Sequence, residues 1–88
     1  MTSNEVKALR KKADLTQQEL SDILEVNRSA VAQWETGSTS PSRSQVAMME
    51  AMEEAIDNRK EADWNRFLKR AAGSLTLAVF LRWYKGDL

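Results

Sequence analysis

Apolar residues recur at helical spacing from the start of the chain. Val6, Leu9 and Ala13 lie three and four positions apart, with Thr2 and Glu5 ahead of them at the spacing of a capping box, in which each side chain bonds the other residue's backbone N–H. This predicts a first helix ending near Ala13. Thr16 and Glu19 repeat the device at once, and Leu20, Ile23 and Leu24 form the stripe of a short second helix, with Val26 just past its end. Asn27 is placed to cap a third helix, on which Ala30, Val31 and Trp34 share one face and Arg28, Ser29, Ala32 and Gln33 the other. Gly37 can take the left-handed conformation that closes such a helix, and 37–42 is the clearest loop in the chain. Ser42 with Gln45 then makes a third capping box, opening a fourth helix along Val46, Met49, Met52 or Glu53, and Ile56.

Beyond Ile56 the pattern changes. A charged stretch, 57–63, gives way to Trp64, Phe67, Leu68, Ala71 and Ala72, which return to helical spacing until Gly73 interrupts. In 74–84 the residues Leu75, Leu77, Val79, Leu81 and Trp83 alternate as in a strand, but Ala78, Phe80 and Tyr84 between them are also apolar. A helix is the preferred reading and a strand over 75–84 the alternative. The expectation is an all-α protein with one domain over 1–56 and a segment, 57–88, that either extends its core or dimerises.

Composition narrows the function. With no cysteine and no histidine among 88 residues there is no disulfide, no thiolate metal site and no cysteine nucleophile, and the commonest general base and metal ligand is missing as well. No enzyme, no metal and no cofactor is expected. Thirteen Lys plus Arg balance thirteen Asp plus Glu, which excludes a cationic coat; nucleic-acid binding has to be local. The acids Glu53, Glu54, Asp57, Glu61 and Asp63 read as a solvated helix face. The N-terminus lacks the apolar run of a secretory signal, and the longest apolar run, 77–81, falls far short of the roughly 20 residues a membrane span needs. A soluble, cytoplasmic protein with no membrane partner is expected.

Two short helices separated by Glu25, Val26 and Asn27, the second presenting a polar face, have the layout of a helix-turn-helix. The run 15–37, with Thr16-Gln-Gln-Glu-Leu20 and Trp34-Glu-Thr-Gly37 at this separation, resembles the DNA-binding domain of Cro/C1-type regulators, over residues 5 to 56. The resemblance implies that Leu20, Ile23, Val31 and Trp34 fix the two helices so that the third stands in the major groove. It makes Arg28, Ser29 and Gln33, with Ala32 beside them, the base-reading positions. Arginine can pair with guanine, glutamine with adenine, and a methyl group can meet thymine. Gln17, Asn27, Thr36, Ser38, Thr39 and Arg43 are implied phosphate contacts, with Lys11 and Lys12 more distant. Arg10 and Glu35 are implied to form an orienting ion pair. Two positions depart from the family: Glu25 stands where a left-handed glycine is usual, and Ser21 where a small alanine is usual.

The implied function is a repressor on a short inverted repeat of double-stranded DNA, regulating its own operon in a phage, mobile element or anti-CRISPR locus of a bacterial cell. One recognition helix reads only a few base pairs, which motivates a homodimer. Trp64, Phe67, Leu68, Leu75, Val79, Phe80 and Trp83 are the expected dimer surface. Two other readings remain open: an antitoxin whose C-terminal segment covers a toxin, and a protein-interaction module without DNA binding.

Overall fold

The computed structural model describes residues 1–71 and 75–86. Its elements are α1 (Ser3–Lys12), α2 (Gln17–Leu24), α3 (Arg28–Thr36), α4 (Arg43–Arg59), α5 (Glu61–Ala71) and α6 (Leu77–Lys85). Helix starts follow the expected chemistry. Reciprocal capping boxes join Thr2 to Glu5, Thr16 to Glu19 and Ser42 to Gln45, satisfying backbone donors that no helical carbonyl can reach. Asn27 stands at the N-cap of α3, but its side chain makes no capping bond. That correction leaves its amide unspent at the start of the third helix.

The ends of the first three helices share one turn. Leu15 N–H reaches back to Arg10 O (3.0 Å), Val26 N–H to Ser21 O (2.9 Å) and Ser38 N–H to Gln33 O (3.0 Å), the wide bond of a Schellman motif. The residue inside each bond is left-handed: Asp14 at φ 56°, Glu25 at φ 57° and Gly37 at φ 82°. Glu25 therefore takes the left-handed conformation that the resemblance implies for a glycine, at a cost of order 1 kcal/mol. Lys60, between α4 and α5, also has positive φ, 70°.

α6 is a helix, capped by the Thr76 hydroxyl on Val79 N–H (3.3 Å), so the strand alternative over 75–84 is excluded for 77–85. Its impure alternation has a plain cause: Phe80 and Trp83, three apart, face inward while Leu81 and Tyr84 face out. The expected break at Gly73, and Ala72 and Ser74 beside it, lie outside the described residues.

α2 and α3 pack on each other, α1 packs on both α3 and α4, α5 lies on α4, and α6 closes against α2. One continuous core results, running from Val6 and Leu9 through Leu20, Ile23, Val31, Met49 and Ile56 to Trp64, Phe80 and Trp83. Trp64 is fully buried. Its rings lie 5.2 Å from Phe67, 5.8 Å from Phe80 and 4.8 Å from Trp83, and its indole N–H donates to the Ala13 carbonyl in the turn between α1 and α2. The C-terminal helices thus complete the core of the first four rather than pack beside a finished one.

Five residues expected at a dimer surface, Trp64, Phe67, Leu75, Phe80 and Trp83, are consequently interior to this chain, each 4% exposed or less. Leu68 and Val79 are half-buried against the same core. Among the described residues no helix is long and apolar enough to cross a membrane.

Candidate nucleic-acid interface

α3 is short, nine residues, and its two faces are sharply divided. Val31 and Trp34 are buried against α2, whose Leu20 and Ile23 are fully buried in turn. Ser21, at the position where alanine is usual, is also fully buried. Its hydroxyl donates to the Gln18 carbonyl at 2.6 Å, which removes the cost of burying it. The opposite face carries Arg28, Ser29 and Gln33, all exposed, with Ala32 half-buried at its edge. No described partner occupies these side chains' hydrogen-bonding groups within the chain.

What holds α3 is charged. Arg10, near the end of α1, meets Glu35, near the end of α3, through two bonds: Nε to Oε2 at 2.6 Å and Nη2 to Oε1 at 3.0 Å. Its remaining Nη1 donates to the Leu15 carbonyl at 3.0 Å. The guanidinium so ties three points: α1, the turn before α2, and α3. The Glu35 side chain is 3% exposed and that of Arg10 18%. Burial pushes the Glu35 carboxyl up, but the bonds from Arg10 and Gln17 and the nearby positive charges of Arg10 and Lys7 outweigh it, and it sits below the usual carboxylate range. The bond to Glu35 raises Arg10 in return. A two-pronged pair of this kind fixes angle as well as distance.

Gln17, expected against phosphate, is half-buried and donates to Glu35 Oε1 at 3.3 Å. One amide N–H is spent there; the other and the carbonyl oxygen remain at the start of α2. Thr36 and Ser38 are less available than their positions suggest. Thr36 Oγ1 donates to the Gln33 carbonyl at 3.1 Å and lies 3.1 Å from Ser38 Oγ. Each hydroxyl has one proton, so Ser38 donates to Thr36 and neither proton points outward. Asn27, Thr39 and Arg43 are exposed. Arg43 is the first residue of α4, beside the Ser42 cap, where exposed backbone N–H groups favour an anion.

Lys12 belongs elsewhere. It pairs with Asp57 of α4, which removes it from the distant phosphate candidates and removes Asp57 from the purely solvated acids. The Gln17 bond to Glu35 and the reach of Trp64 to Ala13 were not expected. The first has a sequence signal, a long amide one turn from a pair already implied. The second spans 51 positions and has none.

The arrangement is a polar helix face presented rigidly beside a helix N-terminus, with basic and amide groups at its margins. Such a face can enter a major groove while its surroundings meet the backbone. No curated protein and no solved structure matches the chain. The helix-turn-helix family model matches residues 6–55, from within α1 to near the end of α4, more than half of the 88 residues. The chain therefore belongs to the Cro/C1-type helix-turn-helix family of DNA-binding transcription regulators.

Proposed function

We propose that the chain is a sequence-specific repressor of its own operon, in a phage, mobile-element or anti-CRISPR locus, that binds an inverted repeat as a homodimer. The observation that carries this reading is the exposed face of Arg28, Ser29 and Gln33 on a helix braced from behind by Arg10 and Glu35. Arg28 is assigned paired bonds to guanine O6 and N7, Gln33 to adenine N6 and N7, and Ala32 a methyl contact to thymine, with Ser29 beside them. Arg43, Asn27, Thr39 and the free side of Gln17 are assigned to phosphates; Thr36 and Ser38 reach them only by giving up their mutual bond. The dimer is assigned to the outer face of α6, because the inner aromatics are spent. Leu81 and Tyr84 there are 41% and 45% exposed.

A protection footprint on the DNA upstream of the chain's own gene tests the reading. Wild-type protein should protect two half-sites about one helical turn, roughly 34 Å, apart. Arg28→Ala with Gln33→Ala should keep the fold and relax preference at the contacted base pairs by about 1–3 kcal/mol each. Unchanged selectivity sinks the assigned face. Sedimentation of Leu81→Glu with Tyr84→Glu should show monomers where wild type shows dimers; an unchanged species removes α6 as the interface.

A further inference from the structure

The family match ends at residue 55, and the region beyond it holds a cleft that the DNA reading leaves unused. Its walls are Arg59 from the end of α4, Asp63, Arg66, Phe67 and Arg70 from one face of α5, and Trp83 from α6, around a volume of about 210 Å³. Three guanidinium groups against one carboxylate leave it with a net charge near plus two. Arg66 and Arg70 lie one turn apart and both are exposed, an arrangement of like charges that costs stability unless an anion joins it. Among the described residues, Asp63 forms no ion pair with any of the three.

Arg59 points the same way. Its guanidinium sits 5.1 Å from the centre of the Trp83 ring, so the ring face holds it in place. One Nη1 bond, a long 3.4 Å, goes to the Tyr84 carbonyl, while Nε is buried with no partner. Nε is closed to solvent, so the Nη groups, which among the described residues hold only that one long bond, are the ones left to meet an anion in the cleft. Phe67 and Trp83 supply an apolar floor that weakens screening and strengthens any charge pair formed above it.

We propose that this cleft is a binding site for a compact tetrahedral oxyanion, a phosphate group, received by Arg59, Arg66 and Arg70. The volume lies below the roughly 300 Å³ at which pockets for larger organic ligands begin, so the cleft itself receives a phosphate group and leaves any larger remainder of the ligand outside. The phosphate comes either from a free metabolite, making the cleft an effector site on a DNA-binding regulator, or from a DNA backbone.

Calorimetric titration and thermal unfolding of the full chain with inorganic phosphate and with pyrophosphate, against chloride at matched ionic strength, test the proposal. Saturable binding and a rise in Tm are expected. Arg66→Ala with Arg70→Ala, both on the surface, should keep the circular dichroism spectrum and weaken pyrophosphate binding by roughly tenfold or more for each guanidinium removed. Absence of saturable binding, or equal binding by the double variant, overturns the proposal. So does a double variant that dissociates a dimer while phosphate has no effect, since the arginines would then serve a second copy's acids. A short duplex of unrelated sequence separates the two sources. Equal duplex affinity for wild type and double variant assigns the cleft to a free phosphate, and a loss parallel to that for pyrophosphate assigns it to the DNA backbone.

Discussion

The first four helices and the last two are held by different means. α1 to α4 contain a single aromatic residue, Trp34, and their ends are set by hydrogen-bond devices: three capping boxes, three left-handed turns and the Arg10–Glu35 pair. α5 and α6 contain the other five aromatics, Trp64, Phe67, Phe80, Trp83 and Tyr84, and they are joined by ring packing around Trp64. Hydrogen-bond devices are directional and act over a few residues, so they place each helix boundary accurately and hold α3 at a defined angle. Ring packing is bulky and weakly directional; it fills the open side of the core and leaves arginines around its margin. The region that must present a precise face thus uses polar geometry, and the region that must add mass to the core uses aromatic area.

The sharpest test of that division is Trp64→Ala. Removing a fully buried indole should cost about 3–5 kcal/mol and strand the Ala13 carbonyl. Because the core is continuous, urea unfolding followed by circular dichroism and by Trp34 fluorescence, in a background with Trp83→Phe, should stay a single earlier transition. Two separated transitions would mean that the regions fold independently and that the comparison describes two domains.

Arg10→Ala comes next, at about 3 kcal/mol, the low end for breaking a buried pair and leaving one charge behind. Lys12→Ala, which breaks the more exposed pair with Asp57, should cost much less in the same melts. Acid sharpens the point. Glu35 titrates below its unfolded value, so its contribution is present above that value, about pH 4.3, and is lost as pH falls through the folded one. In Arg10→Ala the Glu35 carboxyl loses the strongest of the contacts that lower it, so its contribution to the slope of stability against pH should shrink. A wild-type slope retained in the variant would show that other acids carry the acid response.

The smallest effect concerns the turn itself. Glu25→Gly should raise stability by about 1 kcal/mol by relieving a left-handed non-glycine residue, read as a shift of the urea midpoint without a change of slope. A destabilised variant would mean that the Glu25 side chain contributes something its exposed position does not reveal.

Much of the first region was legible because its signals are local. Thr2, Thr16 and Ser42 lie three residues from their capping partners, Gly37 lies at the end of its own helix, and the division of α3 into Val31 with Trp34 and Arg28 with Gln33 follows from helical period alone. The contact of Arg10 with Glu35 spans 25 positions and was reached only through family resemblance; the third guanidinium bond, to Leu15, and the companion Gln17 came from the fold. The candidate site followed the same rule. Its exposed face was readable, whereas the internal use of the Thr36 and Ser38 hydroxyls was not, because a hydroxyl's proton goes to whichever acceptor the folded turn brings near.

The C-terminal region reversed this balance. Apolar spacing was enough to mark Trp64, Phe67, Phe80 and Trp83 as one side of two helices, but an apolar side fits its own core or a second copy equally well. Tertiary structure decided between them by giving Trp64 a hydrogen-bond acceptor 51 residues away. The helices, their caps and the polar face of α3 follow from the order of residues alone, since those depend on neighbours within a turn or two. That the aromatics close this chain's own core and that three arginines line one cleft emerges from the folded chain, since both depend on which helices pack together and no local pattern encodes that choice.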